Sequence, residues 1–561
     1  MLLLSIIFIV FSQAWATTSP NLTTGCRPGT IAECSKALFV PGHTLLGEGL
    51  NILTMKPTGS FLMDMQKVDK ECTLCHNPYE NDVLQKLPKA MVDWRPQPSC
   101  PRKIVSSVYQ SVLLLANEGT DAVSNDWKVG LEISAGSVGG SHSKIAKFAK
   151  SKIIYDKYNF LSNKLQCSYY SFGLSKEPAL TKSFTDILQQ LPASYNAGTK
   201  GKYIGLISHY GTHYITHAEV GGRAQEVTAV RTCEVVMDGM TMDEVKDCLS
   251  VEAGLSTSVP YSPSINTTVS HCSRKARKAN RGTNYHQMFN EREWEVIGGN
   301  VKFDLFSSEI GRSEFDKWLE GLKTTPGLVT YSLDPIYNLV RFKGPQKDNL
   351  RRAINDYIKE NALIINCSCP GRTYASRGGH CYCACQATKH INSDCCPTNR
   401  GAAKLLVSVE KARDLWGDYG SDTDAYVKVT FDSTVLITQT IWNNDDPQWN
   451  ANYEMNIVDL AANKKITIEV WDEDNKHNDD LLGKCEETVK LGYESLICHL
   501  DHGRLTYSLS VRCLDHLGGD LCRDYRPDPG MNNPLVVEPL KTRVVFRDGI
   551  NIIIINDEIP N

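Results

Sequence analysis

The stretch Tyr210-Gly211-Thr212-His213-Tyr214, closely followed by Gly221-Gly222, decides how the centre of this 561-residue chain is interpreted. Histidines recur every four residues at positions 209, 213 and 217, as on a metal-binding helix. Glycine is unfavourable inside a helix, however, and Gly211 lies between the first two of these histidines. The sequence therefore favours a chain that breaks near Gly211 over one continuous helix with three histidine ligands.

The segments on either side of this stretch carry strand and helix patterns. Over Trp127–Ile133 apolar residues alternate with polar or small ones, and this period of two predicts a half-buried strand. Between Ser141 and Phe160 apolar residues recur at helical spacing among lysines, which predicts an amphipathic helix. A further strand is predicted over Leu165–Leu174 and a closing helix over Arg351–Ile365.

The N-terminus and the cysteines predict export. Residues 1–16 contain the apolar run Leu2–Phe11 followed by Ala14-Trp15-Ala16, as in a secretory signal peptide. All 20 cysteines follow it, and so many thiols require pairing in an oxidising compartment. Sequons at Asn21, Asn266 and Asn366 fit passage through a glycosylating lumen. We therefore predict a secreted glycoprotein with disulfide bonds.

Charge and hydropathy exclude two classes of protein. Sixty basic and 64 acidic side chains give a formal net charge of −4, whereas nucleic-acid binders are usually basic. No stretch approaches the roughly 20 apolar residues of a membrane helix. We expect no nucleic-acid partner and no transmembrane helix.

The density of cysteines changes along the chain. Seven lie between Cys367 and Cys396, a segment too short to build an apolar core, which must therefore be stapled. Earlier, Cys72 and Cys75 could form a redox or zinc site, although no second such pair lies at finger spacing.

The C-terminal third has a β pattern. From Lys404 to about Glu487, evenly spaced strands divided by polar loops predict an antiparallel β-sandwich. In the tail, Val544–Phe546 and Ile552–Ile555 are expected to pair as a hairpin.

Carboxylates gather in two loops of this predicted sandwich. The residues are Asp418 and Asp424 in the first loop, and Asp472, Asp474, Asp479 and Asp480 in the second. Calcium takes six to eight oxygen ligands, which two such loops could supply at one end of a rigid scaffold. Aspartate also favours turns and solvates well, so composition alone leaves ordinary turn chemistry as an alternative.

Five blocks in this region resemble a C2 domain. They are Leu415–Asp418, Thr423–Val429, Trp442–Asn450, Val470–Asp474 and Asp479–Gly483. The resemblance implies that five of the six aspartates bind calcium, with Asp479 close by, and that the metal bridges the protein to phospholipid headgroups. Trp416 and Tyr419 on the first loop are candidates for insertion among the headgroups, and core packing behind the loop is the alternative.

Tyr210–Tyr214 and Gly221-Gly222 resemble the signature of the membrane-attack-complex/perforin (MACPF) family, in which His213 would be structural. The resemblance implies a multidomain α+β fold. After the signal peptide, a MACPF domain with a bent antiparallel sheet, helical clusters and a disulfide-tied lead-in covers 17–366. A small disulfide-rich EGF-like module covers 367–400, a C2 β-sandwich 401–515 and a tail 516–561.

The family resemblance also implies that two helical clusters unfurl into membrane-crossing β-hairpins when subunits form a ring. Odd positions of Leu255–Ser270 are mostly apolar and even positions mostly polar, as in a barrel strand. Pro260, Pro263 and a glycan at Asn266 would oppose that interpretation, and an ordinary sheet strand is the alternative. The basic run Arg274–Arg281 would then cross the bilayer at the hairpin tip.

Ser141–Phe160 is the predicted counterpart of Leu255–Ser270 in the other cluster. Paired glycines permit a large backbone swing, which makes Gly221-Gly222 and Gly298-Gly299 candidate hinges. Bulges at the same positions are the alternative.

Taken together, the sequence predicts a secreted, calcium-dependent, pore-forming cytolytic protein of immunity. It would bind the phospholipid membrane of a target cell and act as a homo-oligomeric ring, and the family suggests earlier storage in secretory granules. The alternative is a non-lytic secreted binding or signalling protein that uses the C2 domain only for docking. No enzyme is expected, because neither G-x-S-x-G nor H-E-x-x-H occurs.

Overall fold

The computed structural model describes most of the chain beyond the predicted signal peptide. The described residues are 25–101, 103–132, 139–256, 263–278, 284–301, 303–306, 312–362, 364–365, 373–377, 380–417, 419–474, 478–527, 536–537, 543–547 and 550–554. The signal peptide and the sequons at Asn21 and Asn366 lie outside them. Within the described residues, no helix combines the length and hydrophobicity that crossing a membrane requires.

Strands and short helices form the lead-in and the first half of the central domain. In chain order they are β1 (Cys26–Pro28), α1 (Ile31–Lys36), β2 (Glu48–Asn51), β3 (Lys56–Phe61), β4 (Thr73–Asn77), β5 (Val83–Lys86), β6 (Met91–Ser99), β7 (Val105–Tyr109), α2 (Val112–Glu118), α3 (Lys144–Ile153) and β8 (Tyr158–Leu174).

The second half of the central domain is richer in helices. Its elements are α4 (Lys182–Gln189), α5 (Lys200–Tyr210), β9 (His213–Arg231), α6 (Thr232–Met237), α7 (Met242–Ser256), α8 (Pro263–Lys278), α9 (Tyr285–Met288), β10 (Arg292–Ile297), α10 (Arg312–Gly321), β11 (Gly327–Pro335) and α11 (Gln346–Asn361).

One antiparallel sheet organises this domain. Its two long strands, β8 and β9, pair from Tyr158 opposite Arg231 to Gly173 opposite His217. Strands β6 and β7 pair with β8, whereas β2, β10 and β11 pair with β9. A register shift between Ser168 and Tyr170 interrupts the long ladder, and such irregularities bend a sheet.

Two helical clusters cover opposite faces of this sheet. Helices α2 and α3, the first cluster, pack on the face that carries Phe160 and Val227. Helices α6 to α9, the second cluster, contribute to the core around Leu161 and Val230. Neighbouring strand residues point to opposite faces, so a single sheet supports both clusters. The predicted MACPF architecture is confirmed.

Two sequence-based predictions in this domain need correction. Trp127–Gly130 forms a turn instead of part of a strand, and Ile133 lies outside the described residues. Trp127 is buried against the His213 ring while Val129 is exposed, so their shared spacing does not reflect a shared face. The helix predicted within 141–160 is α3 alone, because the chain enters β8 at Tyr158.

Other predictions in this domain agree with the structure. The strand over Leu165–Leu174 lies within β8, and the closing helix is α11. The segment Leu255–Ser270 includes the end of α7 and the start of α8, so the ordinary-strand alternative is wrong for the soluble fold.

The remaining chain is almost entirely β-structure. Its strands are β12 (Ile364–Ile365), β13 (Thr373–Arg377), β14 (His380–Ala384), β15 (Ala402–Arg413), β16 (Ala425–Phe431), β17 (Thr434–Ile437), β18 (Gln448–Glu454), β19 (Val458–Asp459), β20 (Lys465–Asp472), β21 (Asp480–Thr488), β22 (Gly492–His499), β23 (Arg504–Cys513), β24 (Leu517–Gly518), β25 (Asp524–Tyr525), β26 (Val536–Val537), β27 (Arg543–Arg547) and β28 (Ile550–Ile554).

Two sheets of this region form the predicted sandwich. One contains β18, β15, β23 and β22, with β19 on β15, and the other contains β17, β16, β20 and β21. Their inner faces bury a common apolar core that includes Val407, Val427 and Ile468. In the tail, β27 and β28 pair antiparallel, which confirms the predicted hairpin.

Disulfide bonds connect these regions. The bonds between described cysteines are Cys26–Cys75, Cys34–Cys72, Cys100–Cys167, Cys233–Cys396, Cys248–Cys272, Cys385–Cys395, Cys485–Cys498 and Cys513–Cys522. Cys72 and Cys75 both pair with other cysteines, so the redox or zinc alternative is wrong. Cys396 pairs with Cys233 of α6, so the Cys-rich module is tied to the second cluster.

The backbone conformation of Gly211, at the end of α5, can be tested through its effect on stability. Its φ of +82° and ψ of −170° belong to a region that only glycine adopts easily, and an added Cβ would lie 2.6 Å from the Leu50 carbonyl oxygen. Gly211→Ala should therefore destabilise the domain by roughly 2 kcal/mol or more in thermal or denaturant unfolding. Gly205→Ala is the control, because Gly205 is exposed within α5 and a Cβ there meets nothing within 4 Å. An equal effect of both substitutions would contradict the steric explanation.

Candidate functional site

Three of the predicted calcium ligands meet at one end of the β-sandwich. Strand β20 ends at Asp472, which is directly opposite Ala425 on one side and Asp480 on the other. Asp424 immediately precedes Ala425. The sheet register therefore brings together aspartates that are far apart in sequence.

Asp472 lies at the centre of this group. Its side chain is buried, and Asp424 donates its backbone N–H to Asp472 Oδ1 over 2.7 Å. Gly417 of the first loop approaches so closely that an added Cβ would lie 1.6 Å from Asp472 Oδ2. Only glycine allows the first loop to come this near. Asp418, the next residue, lies outside the described residues.

Further hydrogen bonds hold the surrounding carboxylates. Asp424 Oδ1 accepts the backbone N–H of Asn443 over 2.6 Å, and Asp479 Oδ2 accepts the Tyr426 hydroxyl over 2.9 Å. Burial and the Asp479 carboxylate raise the pKa of Tyr426 to about 12, so this hydroxyl stays protonated and donates. Asp474 follows Asp472 on the same loop. All five described aspartates therefore lie at, or directly beside, the same end of the domain.

Asp445 has a positioning role that the sequence reasoning missed. Its Oδ1 accepts both the backbone N–H and the hydroxyl of Thr423, over 2.9 and 2.7 Å. Its carbonyl oxygen also accepts the N–H of Leu415 over 3.0 Å. Asp445 thus joins the first loop to the loop between β17 and β18. The signal was present in the block Asp445-Asp446-Pro447, which directly precedes β18.

The donor chemistry of this end of the sandwich suits calcium. Carboxylates and backbone carbonyls are the oxygen ligands that hard cations prefer, and the sheet holds them on a rigid scaffold. Among the described residues, no three His, Cys, Asp or Glu side chains already form a compact metal-binding group.

Exposed aromatic residues surround these carboxylates. Trp416 is 49% exposed with its ring edge against His502, and Tyr419 is fully exposed. Neither is packed in the core behind the loop. Trp442 is 58% exposed and directly precedes Asn443, the residue bonded to Asp424. From the sequence, Trp442 is recognisable only as part of a C2-like block, because spacing along the chain does not reveal exposure.

The stretch Tyr210–His213 is a structural junction. Thr212 Oγ1 accepts the backbone N–H of Ile52 over 3.0 Å, and His213 Nε2 donates to the Trp127 carbonyl over 2.9 Å. Burial lowers the pKa of His213 to about 4, so it is neutral at physiological pH. The histidines at 209 and 213 belong to α5 and β9 respectively, which excludes a three-histidine helix.

The two glycine pairs lie together against α10. A Cβ on Gly298 would lie 2.3 Å from the Gly221 carbonyl oxygen, and a Cβ on Gly222 would lie 2.5 Å from the Trp318 ring. Trp318 donates its indole N–H to the Gly298 carbonyl over 3.0 Å. Close packing and a bulge beside Gly221 both require glycine here. Their use as hinges stays a prediction.

Two buried carboxyl groups, those of Glu226 and Asp304, lie near each other beside the central sheet. Glu226 of β9 is fully buried near the Asp304 carboxyl group and accepts the Thr228 hydroxyl over 3.2 Å, while Arg292 of β10 lies 3.6 Å from Glu226 Oε2. Burial, together with the neighbouring Asp304, raises the pKa of Glu226 to about 7. Burial also raises the pKa of Asp304. The pair therefore retains a proton at mildly acidic pH.

The chain is similar in sequence to two families and to several known proteins. The model of the MAC/Perforin domain matches residues 39–364, and that of the C2 domain matches residues 403–499. Perforin-1 of Mus musculus is 39% identical over 526 residues, which cover 91% of this chain and 95% of that protein. Perforin-1 of Homo sapiens is 38% identical over 91% of this chain and 94% of its own length. The complement component C8 alpha chain of Oryctolagus cuniculus is 24% identical over 64% of this chain and 66% of that protein.

The buried carboxyl pair predicts a pH-dependent stability. An unfolded glutamate has an ordinary pKa near 4.5, so between about 4.5 and 7 only the folded state holds the extra proton. The contribution of this site is complete below that range and is lost as the pH rises through about 7. The apparent melting temperature of the wild type should therefore fall more between pH 5 and pH 7.5 than that of Glu226→Gln. An unchanged pH dependence in the variant would contradict this assignment.

Proposed function

Because this chain belongs to the MACPF family, we propose that it is a secreted, calcium-dependent, pore-forming protein of the cytolytic kind. It is stored in secretory granules, docks on the phospholipid of a target-cell membrane through its C2 domain, and assembles into a homo-oligomeric ring. Each subunit then contributes two β-hairpins to one membrane-spanning barrel.

The position of the two helical clusters is the observation that carries this proposal. The first cluster joins the end of β7 to the start of β8, where Tyr109 is opposite Phe160. The second joins the end of β9 to the start of β10, where Thr228 is opposite Arg292. Since Tyr158 is opposite Arg231, both clusters leave the sheet at the same end. Each cluster is therefore the connection of an antiparallel hairpin that extension would lengthen in the same direction.

The connections are long enough for this role. Residues 110–157 and 232–291 provide 48 and 60 residues, whereas one membrane strand requires about 9–11. Backbone polar groups are satisfied in lipid only when strands close into a barrel, so many subunits must supply hairpins together. The alternating pattern of Trp127–Ile133 lies within the first connection, and its described residues 127–132 do not form a strand in the soluble fold.

The C2 domain would supply calcium-dependent attachment. Several carboxylates at one end of the sandwich repel an anionic headgroup, and their crowding gives a strong preference for a cation. Bound calcium would place positive charge between these carboxylates and the lipid phosphates. Hydrogen bonds to Asp424, Asp472 and Asp445 hold the loops in position on the protein side.

Dye release from phospholipid vesicles tests the proposal. The wild type should bind vesicles and release dye only with calcium, and Asp472→Ala/Asp474→Ala should reduce both by roughly tenfold or more. Asp432→Ala is the matched control, because Asp432 lies in the β16–β17 turn and pairs with Lys464. Calcium-dependent binding without release would instead favour the non-lytic docking protein. Release that the double variant leaves unchanged would contradict the calcium site.

The exposed Trp442 of the loop between β17 and β18 predicts a further contact with lipid. Trp442→Ala should weaken calcium-dependent vesicle binding by about tenfold, because a large ring no longer leaves water. Tyr493→Ala is the control, since Tyr493 is 67% exposed at the start of β22, whose other end leads to the loop containing His502. Equal binding of the Trp442 variant and the wild type would show that this loop stays clear of the membrane.

A further inference from the structure

The register of β9 and β10 can be followed into the second helical cluster. Thr228 is opposite Arg292 and Arg223 is opposite Ile297, without a register shift between them. In both pairs the two residue numbers add up to 520. Any antiparallel continuation of these strands without a bulge keeps that total.

The disulfide bond of the second cluster obeys the same rule. Cys248 of α7 is bonded to Cys272 of α8, and these two numbers also add up to 520. Continued β9 and β10 strands would therefore place Cys248 directly opposite Cys272. Their Cα atoms are 5.7 Å apart in the helical state. Directly opposed residues of antiparallel strands are about 4.5–5.5 Å apart, so one bond suits both arrangements.

We infer that the second cluster unfurls as a single hairpin that continues the β9–β10 register, keeps the Cys248–Cys272 bond as a cross-strand link, and turns at position 260. This inference rests on the proposed pore-forming function and specifies which side chains meet lipid. The bond restricts the hairpin to one register before insertion begins.

The polarity of the paired residues agrees with this register, although it was not used to derive it. Because the total is even, odd positions face odd positions and even positions face even ones. Val251 is then opposite Val269, and Ser250 is opposite Ser270. An odd total would place apolar residues opposite polar ones across the hairpin. Odd positions thus form the lipid-facing side and even positions the water-filled side.

The length and charge of the hairpin also agree. Positions 250–258 and 262–270 provide nine residues on each strand around a turn at 259–261, which is the length of a membrane strand. The basic run Arg274–Arg281 then lies between the Cys248–Cys272 bond and the sheet, with Arg277 opposite Asp243. In this register its charges would not cross the bilayer at the tip, unlike in the expectation from sequence alone.

The state of the disulfide bond in membrane-inserted protein tests the register directly. Vesicles lysed by the wild-type full chain are washed, and the inserted protein is digested and mapped without reduction. We expect the Cys248–Cys272 peptide pair intact and Asn266 without a glycan, since position 266 would have to enter the bilayer during insertion and a bulky polar glycan could not follow it. A broken bond, or a glycan on Asn266 in inserted protein, would overturn the inference.

A lysine placed on the lipid-facing or on the water-facing surface of the hairpin tests which residues face lipid. Leu255→Lys should reduce dye release at least roughly 30-fold at equal bound protein, because position 255 lies near the membrane midplane on the lipid side. Ser256→Lys, the neighbouring position on the water-filled side, should retain most of the release. Leu255 is 51% exposed in the soluble fold, so its substitution should leave the melting temperature unchanged.

The outcomes separate this inference from the proposed function. A wild type that binds vesicles with calcium but never releases dye would overturn the pore-forming function itself. Normal release by the wild type, with equal activity of the two lysine variants, would overturn only the register. Dye release by Leu255→Met at the wild-type level, together with loss of dye release in Leu255→Lys, would support lipid contact at this position.

Discussion

The antiparallel ladder between β8 and β9 is the constraint on which the central domain depends. Its backbone hydrogen bonds run from Tyr158 opposite Arg231 to Gly173 opposite His217. The alternation of side chains along these strands gives each helical cluster its own face. The same ladder fixes where the connections leave the sheet, and therefore the direction in which any extended hairpin would grow. Soluble packing and the proposed insertion thus use one set of backbone pairings.

Segments of the second cluster have sequences that suit two structures. Serine and threonine are tolerated on the exposed side of a helix and also on the wet side of a barrel strand. Val251, Val269 and Leu255 lie outside the buried core of the soluble fold, so they remain available for another environment. The Cys248–Cys272 bond connects α7 with α8 and also suits the extended register. Helical packing and strand alternation therefore do not exclude each other in this part of the chain.

Contacts within the protein hold the carboxylate end of the C2 domain in place. Asp445 joins two loops, Gly417 lets the first loop reach Asp472, and Asn443 holds the Asp424 carboxylate. These contacts reduce the conformational freedom that calcium binding would otherwise have to restrict. They also place Trp416 and Trp442 on separate loops beside the carboxylates, so attachment through both would fix the tilt of the subunit.

The sequence by itself determined the order of the MACPF and C2 domains, the strands of the sandwich and the gathering of aspartates in its loops, because motifs and periodicity are local properties of a chain. It mistook Trp127–Gly130 for a strand, since alternation does not reveal whether a ring is buried against His213 or left in water. Only the tertiary structure decided which cysteines pair, that Asp445 joins two loops, and which residue opposes which across β9 and β10. Those facts depend on contacts between residues far apart in sequence, and the spacing along the chain carries no record of them.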